Sequence, residues 1–347
     1  MNGILLLRGE EVRELLDGRE DEVMDAVAAA YRAHGVGDSD LPHSTFLRFP
    51  HDPSGRVISL PAFVGGGLRV AGNKWIASFP RNLQAGMERA SATLVLNSAD
   101  TGRPHAFMEA SLISARRTAA SAALAAVHLH EGLDHSRVGI VGCGPISLEM
   151  VRFLRAALPG VESLVVFDLS MERAENFRAV VERELGMMDV RIAGSTDEVL
   201  SAAPLVAFGT TAGTPHVEAL PAGPRPQTLL NISLRDLAPE IILGADNVVD
   251  DVDHVARAAT SIHLAEQACG NRDFVRCTLA DVLDGRAPAR AGGGGVTIFS
   301  PFGLGVLDLA VAQLVYERAG AEGIGTRLDG FFPQPWDAER PAAAAAR

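Results

Sequence analysis

The chain has 347 residues, enough for about two domains with sizeable cores, and at 47% hydrophobic and 21% charged it has an ordinary globular composition. A formal net charge of -12 argues against nucleic acid as a partner, because a phosphate backbone calls for a basic surface. No apolar run reaches the ~18 residues a membrane span needs, and "MNGILLLRGEEVREL" has acids where a secretory signal needs an apolar core.

In chain order, the apolar positions Val12, Leu15, Leu16, Val23, Ala26, Val27 and Ala30 recur at helical spacing and predict two short helices over 10–34. From 43 to 109 the texture is that of strands: "STFLRF", "RVISLPAF", "VAGNKWIASF", "ATLVLN" and "PHAFME". "ADTGRP" reads as a hairpin turn with Gly102 free to take positive φ. An alanine-rich helix is expected over 112–130, with side chains small enough for close helix packing.

From 137 to about 303, short apolar strands ("VGIVG", "SLVVFD", "VRIAG", "LVAFGT", "TLLNIS", "NVVDD") alternate with helices at 145–157 and 171–185. That rhythm predicts an α/β fold with a parallel sheet covered on both faces. "GGGGVTIFSPFG" leads into one more strand, and a helix over 306–320 is expected to return to the first lobe. The tail 336–347, "PAAAAAR" at its end, is expected to find nothing to pack against. Cys143, Cys269 and Cys277 form neither a disulfide framework nor a C-x-x-C pair, and the 10 histidines lack an H-x-x-x-H spacing. No metal is expected, and the compartment is read as the cytoplasm.

"RVGIVGCGPISLEMVRFL" places a glycine turn between a buried strand and a helix. Gly142 permits the tight turn, and Gly144 lets the backbone approach a pyrophosphate. The helix opening at Pro145 and Ile146 offers free N–H groups and the positive end of its dipole. Ser147 stands where a third glycine is usual, at a packing position that tolerates a small residue. Asp168 ends the next strand, where a carboxylate accepts hydrogen bonds from an adenosine ribose and repels a 2′-phosphate. NAD is therefore favoured over NADP, although Arg173 lies close in sequence. The competing reading makes Asp168 a cap for the helix that follows. Cys143 is read as small filler, since no base partners it.

Four further sites carry candidate chemistry. Lys74 interrupts an apolar strand, either as an edge lysine reaching solvent or as a cation for a substrate carboxylate. Of Arg116 and Arg117, one is expected in solvent and the other on a phosphate or carboxylate. Asp236 follows a strand of the parallel sheet, at the edge where ligands bind, or is a plain turn acid. His43 precedes a strand and is a weaker candidate.

Taken together, "KWIASFP", "ASATLVLNSADTGRP", "ISARRTAASAALAA", "VGIVGCGP", "VVFD", "NISLRD" and "FGLGVLDLAVA" resemble, in order and spacing, the ornithine cyclodeaminase and μ-crystallin family. The resemblance implies a Rossmann NAD-binding domain (131–303) inserted into an α+β substrate and dimerisation lobe (1–130 plus 304–335), and a homodimer formed through that lobe. It implies Lys74 as the lysine for the substrate carboxylate, Arg117 and Ser91 as cofactor contacts, and Asp236 as the catalytic acid/base. Phe302 corresponds to the residue lining the substrate, and Thr210, Ser233 and Leu234 to segments that wrap the dinucleotide.

Two positions depart from cyclodeaminases: Ser59 replaces the glutamate that grips the distal ammonium of ornithine, and Glu240 stands in place of a lysine. His43 replaces an early arginine. An unpaired buried ammonium is costly, so an ornithine site is disfavoured. "LPHSTFLRFP", "ERASATLVLN" and "NISLRDLAPEIILGADNVVDDVDHV" resemble the branch that oxidises N-(2-amino-2-carboxyethyl)-L-glutamate with NAD. Hydrolysis of the resulting imine gives 2-oxoglutarate and L-2,3-diaminopropionate for siderophore or antibiotic synthesis. That substrate has three carboxylates, which suits Lys74, His43 and Arg48. The alternatives are a cyclodeaminase-type lyase and a non-catalytic, crystallin-like dinucleotide binder.

Overall fold

Two eight-stranded sheets organise the computed structural model, which describes residues 3–187, 189–292 and 294–333. The tail expected at 336–347 lies outside the described residues. The first sheet runs in the order Thr326–Leu328, Ile4–Leu7, Pro104–Glu109, Ala90–Ser98, Val70–Ser78, Asp52–Val64 and Ser39–Asp40, with Thr45–Phe49 also pairing to Asp52–Val64. Every pairing is antiparallel except that of Ile4–Leu7 with Pro104–Glu109. Neither Ile4–Leu7 nor Thr326–Leu328 stands out in the sequence, because each is short and pairs only with distant strands.

The alternation along Val70–Ser78 decides which side chains face inward. Lys74 pairs with Leu60 and Leu94, both buried, while Trp75 pairs with Ser59 and Thr93 on the opposite face. The helix Gly305–Glu322 covers the inner face. Its approach is so close that a Cβ on Gly72 would strike the Val95 carbonyl oxygen and the Leu309 side chain. This is the return to the first lobe that the sequence predicts. The two helices near the N-terminus are Gly9–Leu16 and Glu20–Gly35, and Gly102 takes φ 70° in the hairpin turn.

The second sheet is parallel throughout, in the order Asp189–Ile192, Ser163–Phe167, Arg137–Val141, Leu205–Phe208, Gln227–Asn231, Val296–Ser300, Asp246–Val249 and Val275–Thr278. Strand order reverses between Arg137–Val141 and Leu205–Phe208, and ligands of open α/β sheets bind outside the carboxyl ends at such a point. The alanine-rich helix Ser111–Leu129 packs against the first helix of this sheet, Pro145–Ala157. Ala119, Ala120, Ala122, Ala123, Ala125 and Ala126 are all buried, so the two sheets share one continuous core.

Candidate active site

At the switch point the chain must turn sharply, and Gly142 does so with φ 91°. A Cβ there would sit 2.8 Å from the Gly209 carbonyl oxygen and 3.0 Å from the Thr210 Cα, so only glycine fits. Gly144 begins the helix Pro145–Ala157, and nothing lies within 4 Å of a Cβ added to it. That open side, beside N–H groups without helical partners, suits a pyrophosphate. Ser147 is buried, and its hydroxyl donates to the Gly142 carbonyl at 2.5 Å. The small side chain that replaces the third glycine thus ties the turn down.

Asp168 accepts from the Cys143 amide at 2.8 Å and from the Ser170 amide at 3.0 Å. The cap of the following helix is Ser170, which accepts from the Arg173 amide, so Asp168 is not that cap. It joins the glycine turn to the end of the next strand instead. Cys143 is buried, and burial, aided by Asp168, pushes its thiol up to about 12. An inert filler is what the sequence predicts there.

Lys74 is 2% exposed, which rules out the edge lysine reaching solvent. Its Nζ donates to Asp308 at 2.7 Å and to the Ser114 hydroxyl at 3.0 Å. Arg117 Nε donates to the other oxygen of Asp308 at 2.9 Å. Two cations therefore share one buried carboxylate, and one positive charge is left over. Burial pushes the Lys74 ammonium down to about 8, against the opposing pull of Asp308. Arg117 in turn packs on Gly303, whose φ of 93° and missing Cβ leave room for the guanidinium.

The solvent-exposed member expected of the Arg116–Arg117 pair does not exist. Arg116 is buried, bonded to Asp17 and 3.4 Å from Glu149, where it holds the helix Ser111–Leu129 in place.

Asp236 is 0% exposed, at the carboxyl end of the second sheet. Thr210 Oγ1 and Ser233 Oγ each donate to it at 2.5 Å, and His216 Nε2 lies 3.0 Å from Oδ1. Its carbonyl oxygen also accepts from the amides of His216 and Val217. Three of the predicted residues thus meet at one carboxylate, and the half-exposed His216 is an addition that spacing alone did not mark. Leu234 sits beside them with φ 77°, a conformation that costs a branched residue ~1–3 kcal/mol and is characteristic of functional loops.

His43 and Phe302 line a cleft of about 750 Å³ between the strand Thr45–Phe49 and the loops after Asp246–Val249. Asp250 fixes its floor, accepting from the amides of Phe302 at 2.8 Å and Gly303 at 2.7 Å. Arg235, next to Asp236, donates to the carbonyl of Ala258 in the cleft wall.

Three positions singled out in the sequence stand apart. Ser91 is exposed and pairs with Ala77 on the sheet face away from Lys74, because its neighbour Ala92 is the inward residue. Ser59 also lies on that outer face, where its hydroxyl donates to Asn73 at 3.0 Å. Arg48 is exposed and pairs with Arg56 across the strands.

The pattern of the ornithine cyclodeaminase/mu-crystallin family matches residues 5–323. The chain belongs to this family. It is 29% identical to N-((2S)-2-amino-2-carboxyethyl)-L-glutamate dehydrogenase of Staphylococcus aureus, over 95% of this chain and 99% of that one. It is 30% identical to alanine dehydrogenase of Archaeoglobus fulgidus, over 94% and 98% of the two chains. A solved archaeal alanine dehydrogenase dimer with bound NAD superposes with a TM-score of 0.83 at 28% identity, covering 95% of this chain and 100% of that one. Within the family fold, Asp308 is the residue that sequence reasoning passed over. It lies inside the apolar run "VLDLAVA", and only folding brings it to Lys74 and Arg117. No helix among the described residues is long and apolar enough to cross a membrane.

Proposed function

We propose that this family member is an NAD-dependent dehydrogenase that oxidises the glutamate Cα–N bond of N-(2-amino-2-carboxyethyl)-L-glutamate. Water then cleaves the imine to 2-oxoglutarate and L-2,3-diaminopropionate, a building block for siderophore or antibiotic synthesis in the cytoplasm. The observation that carries the reading is the surplus positive charge of Lys74 and Arg117 over the buried Asp308, in a chain that also carries a dinucleotide-type turn at Gly142. A buried surplus cation is costly without an anion beside it, and an amino-acid carboxylate is such an anion.

Gly142, Gly144, Pro145, Ile146 and Asp168 would hold NAD, which would supply the acceptor for the two electrons and the hydrogen that leave the α-carbon. Lys74 anchors the carboxylate and sets the α-carbon in place. Asp236 takes a proton from the attacking water and returns it to the departing amine, with His216 as its path to solvent. Thr210 and Ser233 hold the carboxylate in register, and Leu234 and Phe302 shape the walls.

The substrate's extra carboxylates fit the arginines at the cleft. Arg257 lines the cleft, and Arg235, next to Asp236, is bonded to the Ala258 carbonyl in its wall. A cyclodeaminase reading is disfavoured because Asp308, the carboxylate beside Lys74, is already shared by two cations and has nothing left for a distal ammonium. The first lobe is the dimerisation surface: Trp75 and Phe107 lie 45% and 41% exposed on it.

The test is a comparison of kcat/KM for N-(2-amino-2-carboxyethyl)-L-glutamate, alanine and ornithine with NAD. Preference for the first by at least about 100-fold is expected. Preference for alanine, or release of proline from ornithine, overturns the assignment.

A further inference from the structure

One group in the cleft has no role in the reaction described above. His254 is 9% exposed, and its ring lies 5.0 Å from that of His43 and 6.4 Å from that of Phe302. Its Nδ1 is 2.9 Å from Asp251 Oδ1, and Asp251 Oδ2 is 2.9 Å from His34 Nε2. Burial works to raise the Asp251 pKa, but the bonds from His254 and His34 win and hold it far below the usual carboxylate range. An ionised carboxylate has no proton to give, so Nδ1 of His254 is the donor. Its Nε2 is then the free edge. That atom is buried and has no hydrogen-bond partner among the described residues.

The hydrogen bond to Asp251 also raises the pKa of His254, against the effect of burial, so the charged ring persists to higher pH than a free histidine. A buried imidazolium N–H without an acceptor is costly, and nearly every such group in folded proteins has one.

The remaining charges of the cleft say what the acceptor is. Asp251 is bound by two histidines, and Asp253 is bound by Arg272 at 2.7 Å. His263 Nδ1 accepts from the Ala259 amide at 3.2 Å. His43 and Arg257 line the same cleft and hold no carboxylate among the described residues. The acids are spent, and Arg257 is not.

We propose that His254, oriented by Asp251, donates from Nε2 to a carboxylate of the substrate other than the one at Lys74, and so selects substrates that carry a distal acid. The inference rests on the reading of this cleft as the substrate site. It makes His254 a specificity-determining residue and Asp251 its positioning residue.

The experiment compares the wild type with His254→Phe, which keeps the stacking but removes the donor, and His254→Gln, which restores a donor near Nε2. Two readouts are taken: kinetics with N-(2-amino-2-carboxyethyl)-L-glutamate, and calorimetric binding of 2-oxoglutarate to the protein loaded with NADH. The expected result is a KM raised about 10- to 100-fold in His254→Phe with kcat little changed, and 2-oxoglutarate affinity reduced by a similar factor. His254→Gln should recover most of both, and NADH affinity should be the same in all three, which also reports folding. A fall in kcat at constant KM, equal behaviour of His254→Phe and wild type, or no 2-oxoglutarate binding to the wild type overturns the inference. If the wild type binds 2-oxoglutarate through His254 but does not oxidise the full substrate, the substrate assignment fails and the carboxylate site stands.

Discussion

Asp308 accepts from both Lys74 and Arg117, and this sharing leaves one buried positive charge over. Removing the carboxylate strands two buried cations, so Asp308→Ala should destabilise the protein by about 3–5 kcal/mol, measured by urea unfolding at neutral pH. Retention of wild-type stability would mean that the triad is not a buried ion cluster. The Lys74 ammonium is charged below its lowered pKa of about 8 and neutral above it. Hence kcat/KM should fall as pH rises through that value, and Lys74→Arg should move this alkaline limb upward, since a guanidinium stays protonated. An unchanged limb in that variant would detach it from Lys74. Asp236→Asn keeps the shape of the Thr210–Ser233–His216 network but removes the proton acceptor. Turnover should drop by about 10²–10⁴ while NAD binding persists. The sequence marks Lys74 as a polar break in an apolar strand and Asp236 as an acid just past a strand of the parallel sheet, each with a plain structural alternative that only the fold weighs. Asp308, His216 and His254 were not legible there, because their partners are remote in sequence or belong to loops whose course depends on the whole sheet.

Local chemistry also decides how far whole elements can be read. The helix Pro145–Ala157 starts and stops where predicted, since glycine before it and proline at its first turn act on the backbone directly. In contrast, which face a strand residue occupies depends on register with its neighbours, and a shift by one reverses it. That is why Ser59 and Ser91 lie on the outer face of the first sheet, away from Lys74. At the glycine turn, Gly142→Ala puts a methyl against Gly209 and Thr210 at φ 91°, so NAD affinity should fall by at least about 10-fold. Isothermal titration with NAD checks this, and unaltered affinity would remove the turn from the cofactor site. Asp168→Ala belongs to the same element. It should weaken NAD and narrow the preference over NADP, and tighter binding of NADP by the unaltered protein would reverse the reading of that carboxylate.

For the molecule as a whole, the alternation of strands and helices announced the parallel sheet, while the first sheet closes through strands at the two chain ends that meet only after folding. Its outer face exposes Trp75 and Phe107, which a partner copy would cover. Trp75→Arg should therefore convert a dimer to a monomer in light scattering, and an unmodified protein that is monomeric at micromolar concentration would contradict the lobe's assigned role. The central claim concerns net oxidation with product release. Incubated with NAD and N-(2-amino-2-carboxyethyl)-L-glutamate, the protein should form NADH, 2-oxoglutarate and diaminopropionate in equal amounts. Proline formed from ornithine with no accumulation of NADH would contradict it.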